Sequence, residues 1–191
     1  MDEKIIASLN EFKQDLIIQS VSTIVRKHIT FGLSYILSHE KYYELKSEVA
    51  EFFHIHPNEV LIVGSAKLGF SIAPDKKYRP FNDVSDIDVA IISSNLFDTV
   101  WDQVFNYKIE VGYWEQEDKF KDYLFRGWIR PDKLPPAKSF KLGKDWWEFF
   151  RKLTSKGNYG SYNIRGGLYK SWSFLEKYQS ICVKKCKDEL E

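Results

Sequence analysis

Apolar residues recur at helical spacing over the N-terminal part of the chain. Ile5, Ile6, Leu9, Phe12, Leu16, Ile17, Val21, Ile24 and Val25 mark one amphipathic face across residues 3–27. Phe31, Leu33, Tyr35, Ile36, Leu37, Tyr42, Leu45, Val49 and Phe52 carry the pattern through 29–53. They predict one or two further helices, broken near Ser38-His39. After a turn at Pro57-Asn58 the period changes. Val60-Leu61-Ile62-Val63 is continuously apolar and stops at Gly64, as a buried strand does. Ile87 to Ile92 predicts a second strand. Ser94-Asn95 reads as a helix cap, with Leu96, Val100, Val104 and Phe105 as the helical face behind it. Tyr107 to Tyr113 alternates and fits either a strand or an extension of that helix. Lys144 to Leu153 predicts a short aromatic helix and Tyr162 to Tyr169 a strand interrupted at Gly166-Gly167. Residues 170–188 predict a closing helix. Residues 70–84 and 126–143, punctuated by Pro and Gly, read as loops, the first with basic character.

Strands interleaved with helices predict an α+β fold, with a small mixed sheet flanked by helices. At 191 residues the chain is expected to form one domain, with N-terminal helices over 1–56 and the core with its C-terminal helix over 57–191. Hydrophobic residues at 43% and charged residues at 29% are a soluble globular balance. A net charge of +1 gives no global field for nucleic acid or membrane, so any anion site must be local. Cys182 and Cys186 stand four apart with no second pair of ligands, which fits free thiols in a reducing compartment. The start, Met1-Asp2-Glu3-Lys4, lacks a signal-peptide layout, and no apolar run nears the roughly 18 residues of a membrane span. A soluble, cytoplasmic protein without membrane attachment is expected.

The chemistry concentrates in Gly64-Ser65-Ala66-Lys67-Leu68-Gly69 and Ser85-Asp86-Ile87-Asp88-Val89-Ala90-Ile91-Ile92. Strand residues two apart share a face, so Asp86 and Asp88 project side by side as two hard oxygen ligands suited to Mg²⁺. Gly64 and Ser65 end a buried strand in a small turn that backbone and hydroxyl donors can present to phosphate. Lys67, or Lys76, Lys77 and Arg79 in the following loop, can supply counter-charge.

This conjunction resembles the nucleotidyltransferase superfamily that includes DNA polymerase β, the minimal nucleotidyltransferases and the bacterial cyclic-dinucleotide synthases. The resemblance covers roughly Val60 to Ile92. It implies Mg²⁺ (or Mn²⁺) at Asp86 and Asp88, a nucleoside triphosphate such as ATP held at Gly64, Ser65 and the basic residues, and transfer of a nucleoside monophosphate. The implied acceptor is a hydroxyl on a protein, an RNA end or a small molecule, with nucleic acid as acceptor only. Small bacterial relatives suggest a protein partner in a toxin–antitoxin or phage-defence setting.

Two departures qualify the resemblance. Twenty residues separate Ser65 from Asp86, more than the family usually has, and the extra length is the basic loop. Active members also present a third carboxylate on a neighbouring strand. Ser161-Tyr162-Asn163-Ile164-Arg165 offers none, and Glu110, between Ile109 and Val111, is the remaining candidate. A degraded module that binds nucleotide or a partner therefore stands as the alternative. His54-Ile55-His56 reads as a surface turn rather than a metal site, and Arg165 suits either a phosphate contact or a salt bridge. Trp146-Trp147 and Phe149-Phe150 suit either core packing or base stacking. Lys184, Lys185 and Lys187 read as a solvated face.

Overall fold

The computed structural model describes residues 3–190. Its centre is a four-stranded mixed sheet made of β1 (Val60–Val63), β2 (Ile87–Ile92), β3 (Trp128–Ile129) and β4 (Ile164–Tyr169), in the order β1-β2-β4-β3. β2 pairs antiparallel with β1 and parallel with β4, and β3 lies antiparallel at the edge. The helices are α1 (Glu3–Ile18), α2 (Val21–Ile24), α3 (His39–Phe53), α4 (Gly64–Leu68), α5 (Ser94–Glu110), α6 (Glu117–Phe125), α7 (Lys141–Ser155) and α8 (Trp172–Asp188). α2 runs directly into a π-helical turn over Val25–Thr30.

Alternation along β2 assigns its two faces. Ile87, Val89 and Ile91 point to one side, where they join Leu45 and Val49 of α3, Phe97, Val100 and Val104 of α5, and Trp146 and Phe150 of α7. Ala90 and Ile92 point to the other, onto Leu9, Phe12 and Leu16 of α1, Ile29 of the π turn, and Leu175 and Val183 of α8. Cover on both faces explains why β1 is apolar at every position. The same parity puts Asp86 and Asp88 on the α1/α8 side of the sheet, at the start of β2. The N-terminal helices thus divide: α1 and α2 cover one face of the sheet and α3 the other.

Several boundaries differ from the sequence pattern. Residues 31–38 are not helical, although their apolar spacing continues that of α3. Helix resumes only where the Ser38 side chain accepts the Lys41 N–H at 3.2 Å as an N-cap. The alternation at Tyr107 to Tyr113 belongs to the end of α5, which stops at Glu110. Gly64 to Leu68 is a helical turn rather than a loop, and 126–143 contains the short β3. α6 occupies residues for which the pattern gave no element. No described helix is long and apolar enough to cross a membrane.

Gly166 and Gly167 do not interrupt β4; they let aromatic rings close on it. A Cβ on Gly166 would lie 2.1 Å from Cζ of Phe150, and one on Gly167 would lie 2.7 Å from Nε1 of Trp128. Phe150 is itself buried in the core and cannot swing clear. Gly166→Ala is therefore expected to destabilise the fold by about 1–3 kcal/mol through overpacking. Urea unfolding checks this as a lower midpoint at unchanged slope; an unchanged midpoint would contradict it.

Candidate functional site

β1 ends at Val63, which pairs with Asp88 of β2, and the chain turns at once into α4. Gly64 makes this turn at φ +67°, in the left-handed region that glycine occupies without strain. A Cβ there would also stand 3.0 Å from Oδ2 of Asp88. Glycine at 64 thus answers two demands, the turn and the close passage of the carboxylate. Upstream of β2, Asn82 organises an Asx turn: its Oδ1 accepts the Val84 N–H at 3.1 Å and its carbonyl accepts the Ser85 N–H at 2.8 Å. That turn delivers Asp86 to the mouth of the strand.

The two carboxylates share one face, and Asp88 lines two clefts. Although Asp88 is exposed, the protein around it strips enough water to push its carboxyl pKa up to about 6. The Asp86 charge adds to the rise, and Arg165 and Lys76 oppose it.

The smaller cleft, about 70 Å³, is polar and is lined by Ser65, Lys76, Arg79, Ser85, Asp86 and Asp88, among others. Its basic wall is the 70–84 segment, which folds as a hairpin. Ser71 N–H donates to the Arg79 carbonyl at 2.9 Å, and Tyr78 N–H to the Ser71 carbonyl at 3.0 Å. Lys77 and Tyr78 form the tip at φ 25° and 58°. Tyr78 anchors it against Phe12 and Phe70, with ring centroids 6.4 and 6.1 Å away. The long insertion is therefore ordered and turns Lys76 and Arg79 toward the aspartates.

Other candidates from the sequence lie elsewhere. Lys77 points along the hairpin tip toward Glu189, 3.7 Å away at the end of α8. Lys67 is buried, and its Nζ donates to the carbonyls of Phe31, Gly32 and Leu33 at 2.6, 2.6 and 2.9 Å. Burial, with help from the Lys46 charge, brings its pKa down to about 8. All three of its donors are engaged, so Lys67 ties the 31–33 turn to α4 and is not turned to the cleft. Glu110 is exposed at the end of α5, the helix that packs on the opposite face of the sheet from Asp86 and Asp88. It lines neither cleft. The helix following β2 must return along a face, and α5 takes the apolar Ile87–Val89–Ile91 side.

In the sheet, the residue directly opposite Asp88 on β4 is Arg165. Its Nε stands 3.4 Å from Oδ2 of Asp86, and its side chain is largely exposed. On the strand neighbouring Asp88 the chain thus has a guanidinium and no carboxylate at this place. Among the described residues, no group of three or more His, Cys, Asp or Glu is placed to hold a metal ion.

The larger cleft, about 350 Å³, starts at Gly64 and Asp88 and runs past Arg165, Gly166 and Gly167 toward Trp128, Arg130 and Trp147. Trp146 and Phe150 are core residues that reach its floor, and Phe149 stacks on Phe52 at 4.1 Å. Trp147 is 43% exposed. Sequence reasoning missed Trp128, Arg130, Asp132, Tyr178 and Gln179, since they come from β3, the segment after it and α8, with no shared spacing to join them. Cys182 and Cys186 are free thiols on α8. His54 is the left-handed cap of α3, and His56 Nδ1 accepts the Asn58 N–H at 3.1 Å, so both serve the turn.

Compared with protein-family models, with curated proteins and with solved structures, the chain gives no match.

The Asp88 environment sets a pH dependence. Its folded pKa of about 6 exceeds an unfolded value of about 3.9, so between those values the folded state holds more protons. Raising the pH through that window therefore costs the folded state stability. In EDTA, Asp88→Asn is expected to raise Tm at pH 7–8, with the gain shrinking as pH falls through about 6 and gone by about 4. Thermal melts of both proteins from pH 4 to 8 check this; a gain independent of pH would contradict it.

Proposed function

We propose that this chain is a metal-dependent nucleotidyltransferase of the DNA polymerase β type. It would bind a nucleoside triphosphate and transfer its nucleoside monophosphate to a hydroxyl acceptor. The observation that carries the reading is the convergence of three separate segments on one polar cleft. The turn after β1 brings Ser65, the hairpin brings Lys76 and Arg79, and the start of β2 brings Asp86 and Asp88.

The residues present suit a divalent cation. Two carboxylates share a strand face, and the missing Cβ at Gly64 leaves Oδ2 of Asp88 unobstructed. Asp86 and Asp88 would hold Mg²⁺ or Mn²⁺, which when bound neutralises phosphate charge and relieves the carboxylates' repulsion. Lys76 and Arg79 meet the phosphates from the hairpin side, and the Ser65 hydroxyl can donate to a phosphate oxygen. In the transfer, the acceptor oxygen bonds to the α-phosphorus while the bond to the bridging oxygen breaks. Pyrophosphate leaves with that electron pair, and the hydroxyl proton passes to water. Positioning and charge carry this reaction, and this cleft offers both.

A second reading is favoured by Arg165. A guanidinium in place of the third acid suits a module that binds nucleotide without transferring it, since among the described residues no third carboxylate stands ready to take the hydroxyl proton.

Calorimetry of ATP with Mg²⁺ tests the shared part of both readings. Wild type is expected to bind only when the metal is present, and Asp86→Ala/Asp88→Ala to lose that metal-dependent binding. Lys76→Ala/Arg79→Ala is expected to weaken it at least tenfold. Equal binding by wild type and the aspartate variant, or none by wild type, would contradict the site. Pyrophosphate release across the four nucleoside triphosphates then separates transfer from binding alone.

A further inference from the structure

Arg165 lies directly opposite Asp88 across the parallel pair of β2 and β4, and its Nε stands 3.4 Å from Oδ2 of Asp86. We propose that this guanidinium is a built-in cation of the site, so that Asp86 and Asp88 take one divalent ion with the nucleotide and not two. The proposal rests on the divalent-cation reading above and specifies its metal count. It holds whether or not transfer follows binding.

A guanidinium is a fork of N–H donors with no lone pair to offer a metal, and in a protein it does not lose its proton. Its charge beside Asp86 is therefore permanent. A carboxylate at this register position could share a metal with Asp86 and Asp88. Arg165 competes with the metal instead: an ion held by Oδ2 of Asp86 has to share that atom's neighbourhood with a positive charge 3.4 Å away. The competitor is fixed by the backbone, because β2 and β4 stay in register from Ile87 opposite Ile164 to Ile92 opposite Tyr169.

A second divalent ion meets the same charge. Two-metal sites hold their ions roughly 3.5–4 Å apart, so their mutual repulsion has to be offset by negative charge around them. Asp86 and Asp88 supply two carboxylates, and Arg165 offsets one of them. Exchanging the guanidinium for a carboxylate swings the local charge by two units, which is the charge of one divalent ion. Arg165→Glu is therefore the substitution that opens a second place.

The ion pair bears on the site more than on the fold. The Arg165 side chain is 61% exposed, and a pair so open to water adds little stability. Among the described residues Arg165 makes no other ion pair. Substitutions there leave the core untouched, so their effect on metal binding is readable in folded protein.

The test uses the full chain and Mn²⁺ as the probe, followed by electron paramagnetic resonance. Mn²⁺ alone is titrated first. Its affinity is expected to rise at least fivefold in Arg165→Ala and to stay near the wild-type value in Arg165→Lys, which keeps the charge. The ion is then titrated with one equivalent of an ATP analogue that cannot be cleaved between the α- and β-phosphates. Wild type is expected to immobilise one Mn²⁺ per chain, with the spectrum of an isolated ion. Arg165→Glu is expected to immobilise two, with the spectrum of a magnetically coupled pair. Circular dichroism melts confirm that the variants fold, and the wild-type count and Arg165→Ala decide the matter if Arg165→Glu does not. Two ions per chain in wild type overturn the proposal. So does a metal-alone affinity unchanged in Arg165→Ala, or a single ion in folded Arg165→Glu. No immobilised ion in wild type with the analogue overturns the Asp86–Asp88 reading itself, and the metal count with it.

Discussion

Asp86, just before β2, and Asp88 within it share one face of a sheet that is otherwise apolar except for Arg165 on β4, and their repulsion bears on what surrounds them. Like charges on one strand face are tolerated when water, counter-charge or a ligand offsets them. Water reaches Asp88 through the clefts, yet not enough to keep its pKa from rising to about 6. Arg165 stands across the strand pair, 3.4 Å from Asp86, and Lys76 approaches from the hairpin. Glycine at 64 leaves out a Cβ that would press on the carboxylate. The pair, with cations arranged around it, fits a site that a divalent cation and phosphate would complete.

The sheet makes this arrangement possible by being covered unevenly. Both faces of β2 are packed along most of its length, one by α3, α5 and α7 and the other by α1 and α8. The α1/α8 side stays open at the start of the strand, where the turn after β1, the hairpin and β4 meet. The hairpin holds its place through Tyr78, half-buried against Phe12 of α1, so the helical layer fixes the position of Lys76 and Arg79. Lys67 works in the same direction from the inside, binding three carbonyls of the 31–33 turn to α4.

Much of this was legible in the sequence. Continuous apolar runs marked β1 and β2, since burial on both faces removes alternation, and the Gly-Ser turn and Asp-x-Asp, read together, fall side by side in the fold. The basic character of the 70–84 segment was readable from its residues. Which of its cations face the cleft was not, because that depends on a hairpin tip at Lys77 and Tyr78 with two left-handed residues. Lys67 and Glu110 show why local neighbours mislead. Lys67 sits beside the turn in sequence, but its helical position points it inward. Glu110 has apolar neighbours like a strand carboxylate, yet it ends a helix on the far face. Gly166-Gly167 read as a break in a strand, whereas the rings of Phe150 and Trp128 fill the space that side chains would have taken. The larger cleft draws on β3, α7, β4 and α8, and no spacing along the chain links them.

The central claim is that Asp86 and Asp88 together hold a divalent cation alongside a nucleotide. The most direct measurement is the electron paramagnetic resonance spectrum of Mn²⁺ titrated into the protein with ATP. The account predicts that wild type and Glu110→Ala both immobilise the ion, and that Asp86→Ala/Asp88→Ala leaves the spectrum of Mn²⁺-ATP free in solution. A bound-ion spectrum that survives loss of both aspartates, or that disappears with Glu110, would contradict it.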